Sequence, residues 1–294
     1  MKKQELIKLW KEKYNLDSRA INQVLEFVFN LSKEKVFLLE EINPVFYEKI
    51  IFIFEKLFSW YPLAYIIQKV DFMWLDFYID ENVLIPRNDT EILVREVICH
   101  CEWNEAIQKS KIHGRFPTSL EWQSLLDIWT GSWIIPITLA KKLDFKEIYT
   151  IDISEKAIEV AKKNILCYKL EDKIKILNTD FKELDFILFK WQDLIITANL
   201  PYIKEWDFEN MDFWVYNFEP KIALYGGKNT WFELYEELIN ILIKEKNMFN
   251  NLVLFIEIGF DQYEVSKKIL LKKWLKFEFF KDTNNIYRVI KIEI

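Results

Sequence analysis

From residue 123 onward the chain alternates short apolar runs with amphipathic segments, and that rhythm limits the possible folds more than any other feature. Ser124 to Ile128, Ile148 to Ile151, Lys173 to Leu177, Leu194 to Ala198 and Leu252 to Ile256 read as strands. Between them, Ile134 to Leu143, Glu155 to Cys167 and Phe232 to Lys244 carry helical periodicity. Near-continuous apolar strands separated by helices predict a mainly parallel sheet covered on both faces. Phe277 to Lys281 and Ile286 to Ile292, joined by an Asp282 to Asn285 turn, predict an antiparallel finish. The expected fold class is therefore α/β and Rossmann-like.

The first 70 residues differ from the rest. Gln4 to Tyr14 and Ala20 to Leu31 are amphipathic, with Asp17 or Ser18 as a candidate N-cap, so residues 1–70 are expected to form a helical module. Phe72 to Ile85 alternates apolar and polar residues around Asp80-Glu81-Asn82, which predicts a hairpin connector over 71–86 turning at those polar residues. Residues 87–294 then form the α/β domain, opening with a helix from Thr90 to about Cys101.

Composition narrows the function classes. The net charge of −6 makes broad phosphate neutralisation, and hence stable nucleic-acid binding, a poor expectation. Three cysteines without framework spacing fit a reducing compartment, and the charged N-terminus has no signal-peptide pattern, so a cytoplasmic location is expected. Ile50 to Ile67, the richest apolar stretch, is interrupted by Glu55 and Lys56 and is too short to cross a bilayer. Cys99-His100-Cys101 is not a metal site by expectation, because neighbouring residues on a helix point apart.

Ligands of open parallel sheets bind beyond the carboxyl ends of the strands, where the first strand turns into the first helix. Here that turn reads Asp127-Ile128-Trp129-Thr130-Gly131-Ser132-Trp133, and the following strand ends in Asp152, a carboxylate placed to accept ribose hydroxyls. Asp180-Phe181 follows the third strand. The loop resembles motif I of class I S-adenosylmethionine methyltransferases, Asp-x-Gly-x-Gly-x-Gly, with tryptophan in place of the first and third glycines. The fourth strand leads into Asn199-Leu200-Pro201-Tyr202, which resembles the Asn-Pro-Pro-Tyr signature of methyltransferases acting on planar amide or amino nitrogens.

Such a motif has a physical reason. An amide nitrogen is a poor nucleophile because its lone pair is delocalised into the carbonyl. Fixed oxygens that hold both amide hydrogens bind more tightly as positive charge develops on the nitrogen.

Further segments resemble the HemK/PrmC family of release factor glutamine methyltransferases: Tyr61 to Ile67, Val83 to Glu91, Phe218-Glu219-Pro220 through Gly227, and Ile256-Glu257-Ile258-Gly259-Phe260-Asp261-Gln262. The resemblance implies S-adenosylmethionine as cofactor, held by Asp127, Trp129, Thr130, Gly131, Ser132, Trp133, Asp152, Asp180, Phe181 and Asn199. It implies a peptide chain release factor as protein substrate, its Gly-Gly-Gln loop met by Asn199, Leu200, Pro201 and Tyr202, with Pro86 and Arg87 at the entrance and the helical module holding the substrate. Leu200 departs from the family's proline, and Asn-Leu-Pro-Tyr also resembles ribosomal RNA adenine dimethyltransferases. An adenine amino methyltransferase is therefore the alternative enzyme.

One feature of composition bears on the site itself. The chain has 5 glycines and 12 tryptophans, where a typical composition would give roughly 20 glycines. Trp60, Trp74, Trp129, Trp133, Trp231 and Trp274 all fall where a turn or close approach calls for glycine. These positions are expected to be glycine in the living organism, UGA having been translated with the wrong code. If the tryptophans are real, the expectation is an occluded pocket and a non-catalytic binding protein.

Overall fold

A computed structural model describes residues 2–111, 123–129, 131–204, 211–227 and 230–294. The chain divides into two compact units, Met1–Lys69 with Asp212–Phe218, and Val70–Met211 with Glu219–Ile294.

The first unit is helical: α1 (Lys3–Tyr14), α2 (Ser18–Phe29), α3 (Lys33–Leu38), α4 (Tyr47–Phe58) and α5 (Leu63–Ile67). Asp17 caps α2 by accepting the Ala20 N–H at 2.7 Å. Leu6, Trp10, Ile21, Leu25, Ile50 and Phe54 meet in its core. Residues Phe213–Phe218, introduced below as α9, belong to the same unit, and the Phe218 ring lies 4.9 Å from that of Tyr61.

The second unit opens with a hairpin, β1 (Val70–Phe72) and β2 (Leu75–Phe77). Its turn is Met73-Trp74, not the Asp80-Glu81-Asn82 expected from the sequence. Both turn residues have positive φ, 49° and 68°, the requirement of a two-residue hairpin turn that normally selects Asn-Gly. Asp80 instead folds the next segment onto itself, its Oδ1 accepting the Asn82 N–H at 3.0 Å. With tryptophan in the glycine position, the hairpin signal was hidden and the nearest polar cluster drew the prediction.

Then follow α6 (Thr90–Lys111), β3 (Gln123–Ile128), α7 (Ile134–Lys142), β4 (Glu147–Asp152), α8 (Glu155–Tyr168), β5 (Ile174–Asn178), β6 (Asp193–Ala198), α9 (Phe213–Phe218), α10 (Glu233–Glu245), β7 (Asn251–Glu257), α11 (Tyr263–Lys272), β8 (Lys276–Lys281) and β9 (Tyr287–Glu293). The strands form one sheet in the order β5-β4-β3-β6-β7-β9-β8. The first five run parallel, and β9 and β8 close the sheet antiparallel. Strand order reverses between β3 and β6, which places a crevice at their carboxyl ends. Apolar residues on both faces of β3, β6 and β7 pack into two separate cores, one including α6 to α8 and the other α10. That is why these strands read as uninterrupted apolar runs.

Among the described residues, seven of the thirteen non-glycine positions with positive φ are tryptophan: Trp60, Trp74, Trp129, Trp133, Trp191, Trp231 and Trp274. A bulky residue with positive φ is a genuine outlier. Trp60 and Trp274 end α4 and α11 in the same way. The Tyr61 N–H reaches back to the Lys56 carbonyl at 3.1 Å, and the Leu275 N–H to the Leu270 carbonyl at 3.3 Å. This is the Schellman bond pattern, whose left-handed position is ordinarily glycine. Trp191 was not recognised from the sequence. It precedes β6 in an aromatic-rich stretch that carried no turn signal.

Candidate functional site

The crevice at the strand ends holds a cavity of about 270 Å³. Ile128, Ile151 and Ala198 are neighbours in register at the ends of β3, β4 and β6, so the segments that leave these three strands meet at one place. Trp129, Gly131, Ser132, Asp152, Ser154 and Asn199 line the cavity, joined by Asn82, Val83, Leu84, Pro86, Arg87 and Thr90 from the segment before α6 and by Pro220, Ile222 and Ala223.

Asp152 is buried and holds the loop. Its Oδ2 accepts the Gly131 N–H at 3.0 Å and its Oδ1 the Ser154 N–H at 2.9 Å. Burial pushes its pKa up, and the backbone N–H groups of Ser154 and Gly131 oppose that. Asn164 of α8 ties the loop to the hairpin's exit, donating from Nδ2 to the Ser132 and Tyr78 carbonyls and accepting the Tyr78 N–H at Oδ1.

Several residues expected to touch the cofactor are instead part of the framework. Asp127 is fully buried in β3 and accepts the Thr197 hydroxyl at 2.5 Å, which ties β3 to β6. Phe181 is 1% exposed and belongs to the core beside Phe186 and Phe189. Asp180 turns its carboxylate onto the Lys182 N–H at 3.0 Å. Trp133 is fully buried among the side chains of α6 and α7, and its indole N–H has no hydrogen-bond partner among the described residues. None of the four lines the cavity. Of the two loop tryptophans only Trp129 does, so the cavity is open beside it and the expected occlusion is not seen. Thr130 lies outside the described residues.

The Asn199-Leu200-Pro201-Tyr202 turn is fixed from beneath. Leu200 and Pro201 are buried, and the Leu200 N–H donates to the Tyr235 hydroxyl at 2.9 Å, while that hydroxyl donates to the Glu257 backbone carbonyl at 2.5 Å. The Tyr202 hydroxyl donates to Glu257 Oε1 at 3.2 Å. Burial beside Glu257 pushes both phenols well above their ordinary range, so both remain protonated donors. Of the four turn residues only Asn199 lines the cavity.

Pro220, Ile222 and Ala223 complete the wall, and the residues after them pack on the turn. The Ile203 N–H donates to the Leu224 carbonyl at 2.8 Å, and the Gly226 N–H to the Ile203 carbonyl at 2.9 Å. A Cβ on Gly226 would stand 2.5 Å from the Tyr202 Cα and 2.8 Å from the Pro201 carbonyl oxygen. Since backbone cannot yield there, Gly226→Ala is expected to destabilise the chain by about 1–3 kcal/mol, measurable by chemical denaturation.

Arg87 is bound to Glu219 at 2.6 Å, and Glu219 Oε1 accepts the Ile85 N–H at 3.2 Å. Burial raises the Glu219 pKa while Arg87 opposes it. Glu219, Tyr235 and Glu257 were not singled out as site residues from the sequence. Only Glu257 carried a local signal, as a carboxylate in the apolar run Leu252 to Ile258. No cluster of metal-binding side chains occurs among the described residues, and no described helix is long and apolar enough to cross a membrane.

Parallel sheet order, a cavity at the switch point and a carboxylate at the end of the second strand define a class I S-adenosylmethionine-dependent methyltransferase. The human METTL16 catalytic domain, solved with a MAT2A 3′UTR hairpin, shares this fold at a TM-score of 0.52 and 15% identity, over 73% of this chain and 74% of that one. The family model for ribosomal protein L11 methyltransferase (PrmA) matches residues 116–200. Release factor glutamine methyltransferase of Clostridium botulinum is 32% identical over 85% of this chain and 83% of its own. The namesake from Clostridium acetobutylicum is 28% identical over 99% and 86%. The ribosomal protein uL3 glutamine methyltransferase of Francisella tularensis is 30% identical over 92% and 78%. In the bifunctional methyltransferase of Rickettsia prowazekii, the chain spans 55% of the relative's length. The chain belongs to the HemK/PrmC family of protein glutamine methyltransferases.

Proposed function

We propose that the chain methylates the side-chain amide nitrogen of the glutamine in the Gly-Gly-Gln loop of peptide chain release factors, with the helical residues 1–70 holding the protein substrate. The observation that carries this reading is Asn199 in the cavity wall, at the head of a turn in which Leu200 and Tyr202 are hydrogen-bonded to Tyr235 and Glu257.

S-adenosylmethionine, when bound, supplies an electrophilic methyl group. The donor set of this chain fits it. Asp152 keeps lone pairs beyond those given to Gly131 and Ser154, available to a ribose diol, and the loop 129–132 lies beside it. Asn199 Oδ1 accepts an amide hydrogen of the glutamine; Leu200, which the resemblance also sets against the substrate, is fully buried here and does not line the cavity. The Tyr235 hydroxyl lies 3.3 Å from the Leu200 carbonyl oxygen and gives its proton to the Glu257 backbone carbonyl at 2.5 Å, which holds the turn that carries Asn199. Pro86 and Arg87 stand at the cavity's substrate side. Asp127, Trp133 and Phe181 support the site from the core.

The relative from Francisella tularensis favours, as the alternative reading of the same chemistry, ribosomal protein uL3 as substrate. Methyl-labelled cofactor supplied with purified release factor, uL3 or ribosomal RNA separates the readings. Label in the release factor is expected, label in uL3 alone would move the assignment to the ribosome, and label in RNA alone would refute glutamine as acceptor.

A further inference from the structure

Part of the cavity is walled by backbone that belongs to no α-helix or strand. Leu84, Pro86 and Arg87 line it from the segment before α6, and Pro220, Ile222 and Ala223 from the segment after α9. Such backbone has no ladder of its own and must find hydrogen-bond partners elsewhere. Both segments are built around a residue followed by proline, Ile85-Pro86 and Glu219-Pro220. Proline biases the residue before it toward extended backbone and donates no hydrogen bond itself. The two prolines therefore shape these stretches without placing them.

One carboxylate places them. Glu219 is 4% exposed. Its Oε1 accepts the Ile85 N–H at 3.2 Å and its Oε2 the Arg87 guanidinium at 2.6 Å, across 134 and 132 positions of chain. The two bonds lie on either side of Pro86, so that wall residue is held from both flanks. On its own side Glu219 leads into Pro220 and a single turn, in which the Ala223 N–H donates to the Pro220 carbonyl at 2.9 Å. The same stretch is bonded to the residue directly after Tyr202, through Leu224 and Gly226 to Ile203. A continuous line of bonds thus runs from Pro86 through Glu219 to the turn that begins at Asn199.

We propose that Glu219 is the positioning residue that sets Pro86 and Arg87 at a fixed place relative to Asn199, so that the substrate's loop meets a preformed wall while its amide reaches Asn199 Oδ1. The proposal rests on the functional reading given above. A buried ion pair by itself adds little to stability, and apolar replacement is often neutral. What this one supplies is placement, because two oxygens of one planar group meet donors on both sides of a single residue. The bonds of Asp152 to the 129–132 loop and to Ser154 do not involve Glu219. The effect of Glu219 therefore falls on the protein substrate and not on the cofactor.

The test uses the full-length chain, prepared with tryptophan and in parallel with glycine at the left-handed positions, and assayed for methyl transfer to release factor. Glu219→Gln keeps the shape but sets an NH₂ group against one of the two donors. It is expected to raise KM for the release factor about 10–100-fold, with kcat and cofactor affinity little changed. Glu219→Ala, which removes both acceptors, is expected to raise KM at least as far. A second readout needs no turnover: the Ile85 amide should exchange slowly with solvent in the unsubstituted chain and faster in Glu219→Gln. An Ile85 amide that exchanges at the rate of a free peptide in the unsubstituted chain would overturn the proposal. So would an unmoved KM in a variant that has lost stability, the mark of a purely structural pair, or a loss of cofactor affinity equal to the rise in KM. Absence of transfer by the unsubstituted chain would count against the functional reading instead, and the Ile85 exchange would still decide whether Glu219 places the wall.

Discussion

Asn199→Ala is expected to abolish measurable methyl transfer while leaving S-adenosylmethionine affinity close to that of the unsubstituted chain. The side chain forms one part of a cavity wall whose cofactor portion is built by the 129–132 loop and Asp152. Alanine removes the Oδ1 acceptor and nothing from that loop. Loss of a single fixed partner to charge that develops in a transition state typically costs about 10²–10³ in kcat. Here the acceptor also orients the nitrogen, so its removal costs alignment as well. Calorimetry with the cofactor and single-turnover transfer to release factor separate the two effects. Turnover near the unsubstituted rate would refute the assigned role, and a parallel collapse of cofactor binding would make Asn199 a cofactor residue first.

Glycine at Trp60, Trp74, Trp191 and Trp274 is expected to raise stability by about 4 kcal/mol in total. All four have positive φ and are exposed, Trp74 and Trp274 at 92% and 94%, so little packing is lost. Strain at such a position is worth about 1–3 kcal/mol, and the extra unfolded-state freedom of glycine takes back about 0.5–1. About 1 kcal/mol per site remains, adding where the sites do not touch. For a chain of this size that is roughly 10 °C in Tm. Trp133 is excluded because its buried indole also fills space, so glycine there would open a void. The same reasoning predicts that protein made by its own host carries glycine at these positions. Its intact mass should fall below that of the sequence by the side-chain difference at each one, and a mass equal to the sequence would end that reading.

The sheet was legible because its physics is repetitive. Strands buried on both faces must be apolar throughout, and each helix between them needs one apolar stripe, so β3 to β7 fell within a residue or two of their predicted limits. The hairpin was misplaced because its turn residue, Trp74, carries the wrong side chain for its backbone. In the site, Asp152 and Asn199 were legible because one ends β4 and the other follows β6, the two strands that flank β3. Asp127 and Phe181 occupy equally suggestive places in the sequence, yet their side chains turn inward, one to Thr197 and the other to the core. Facing direction at a strand end is set by tertiary packing, which spacing does not encode. Glu257 and Tyr235 went unrecognised because their partners lie on other elements, 55 and 35 positions away.

Mass mapping of release factor after incubation with the chain and S-adenosylmethionine tests the central claim most directly. One added methyl group on the glutamine side chain of the Gly-Gly-Gln loop is the predicted result. Unmodified glutamine after the chain has been shown to bind the cofactor, or the methyl group on any other residue, would contradict it.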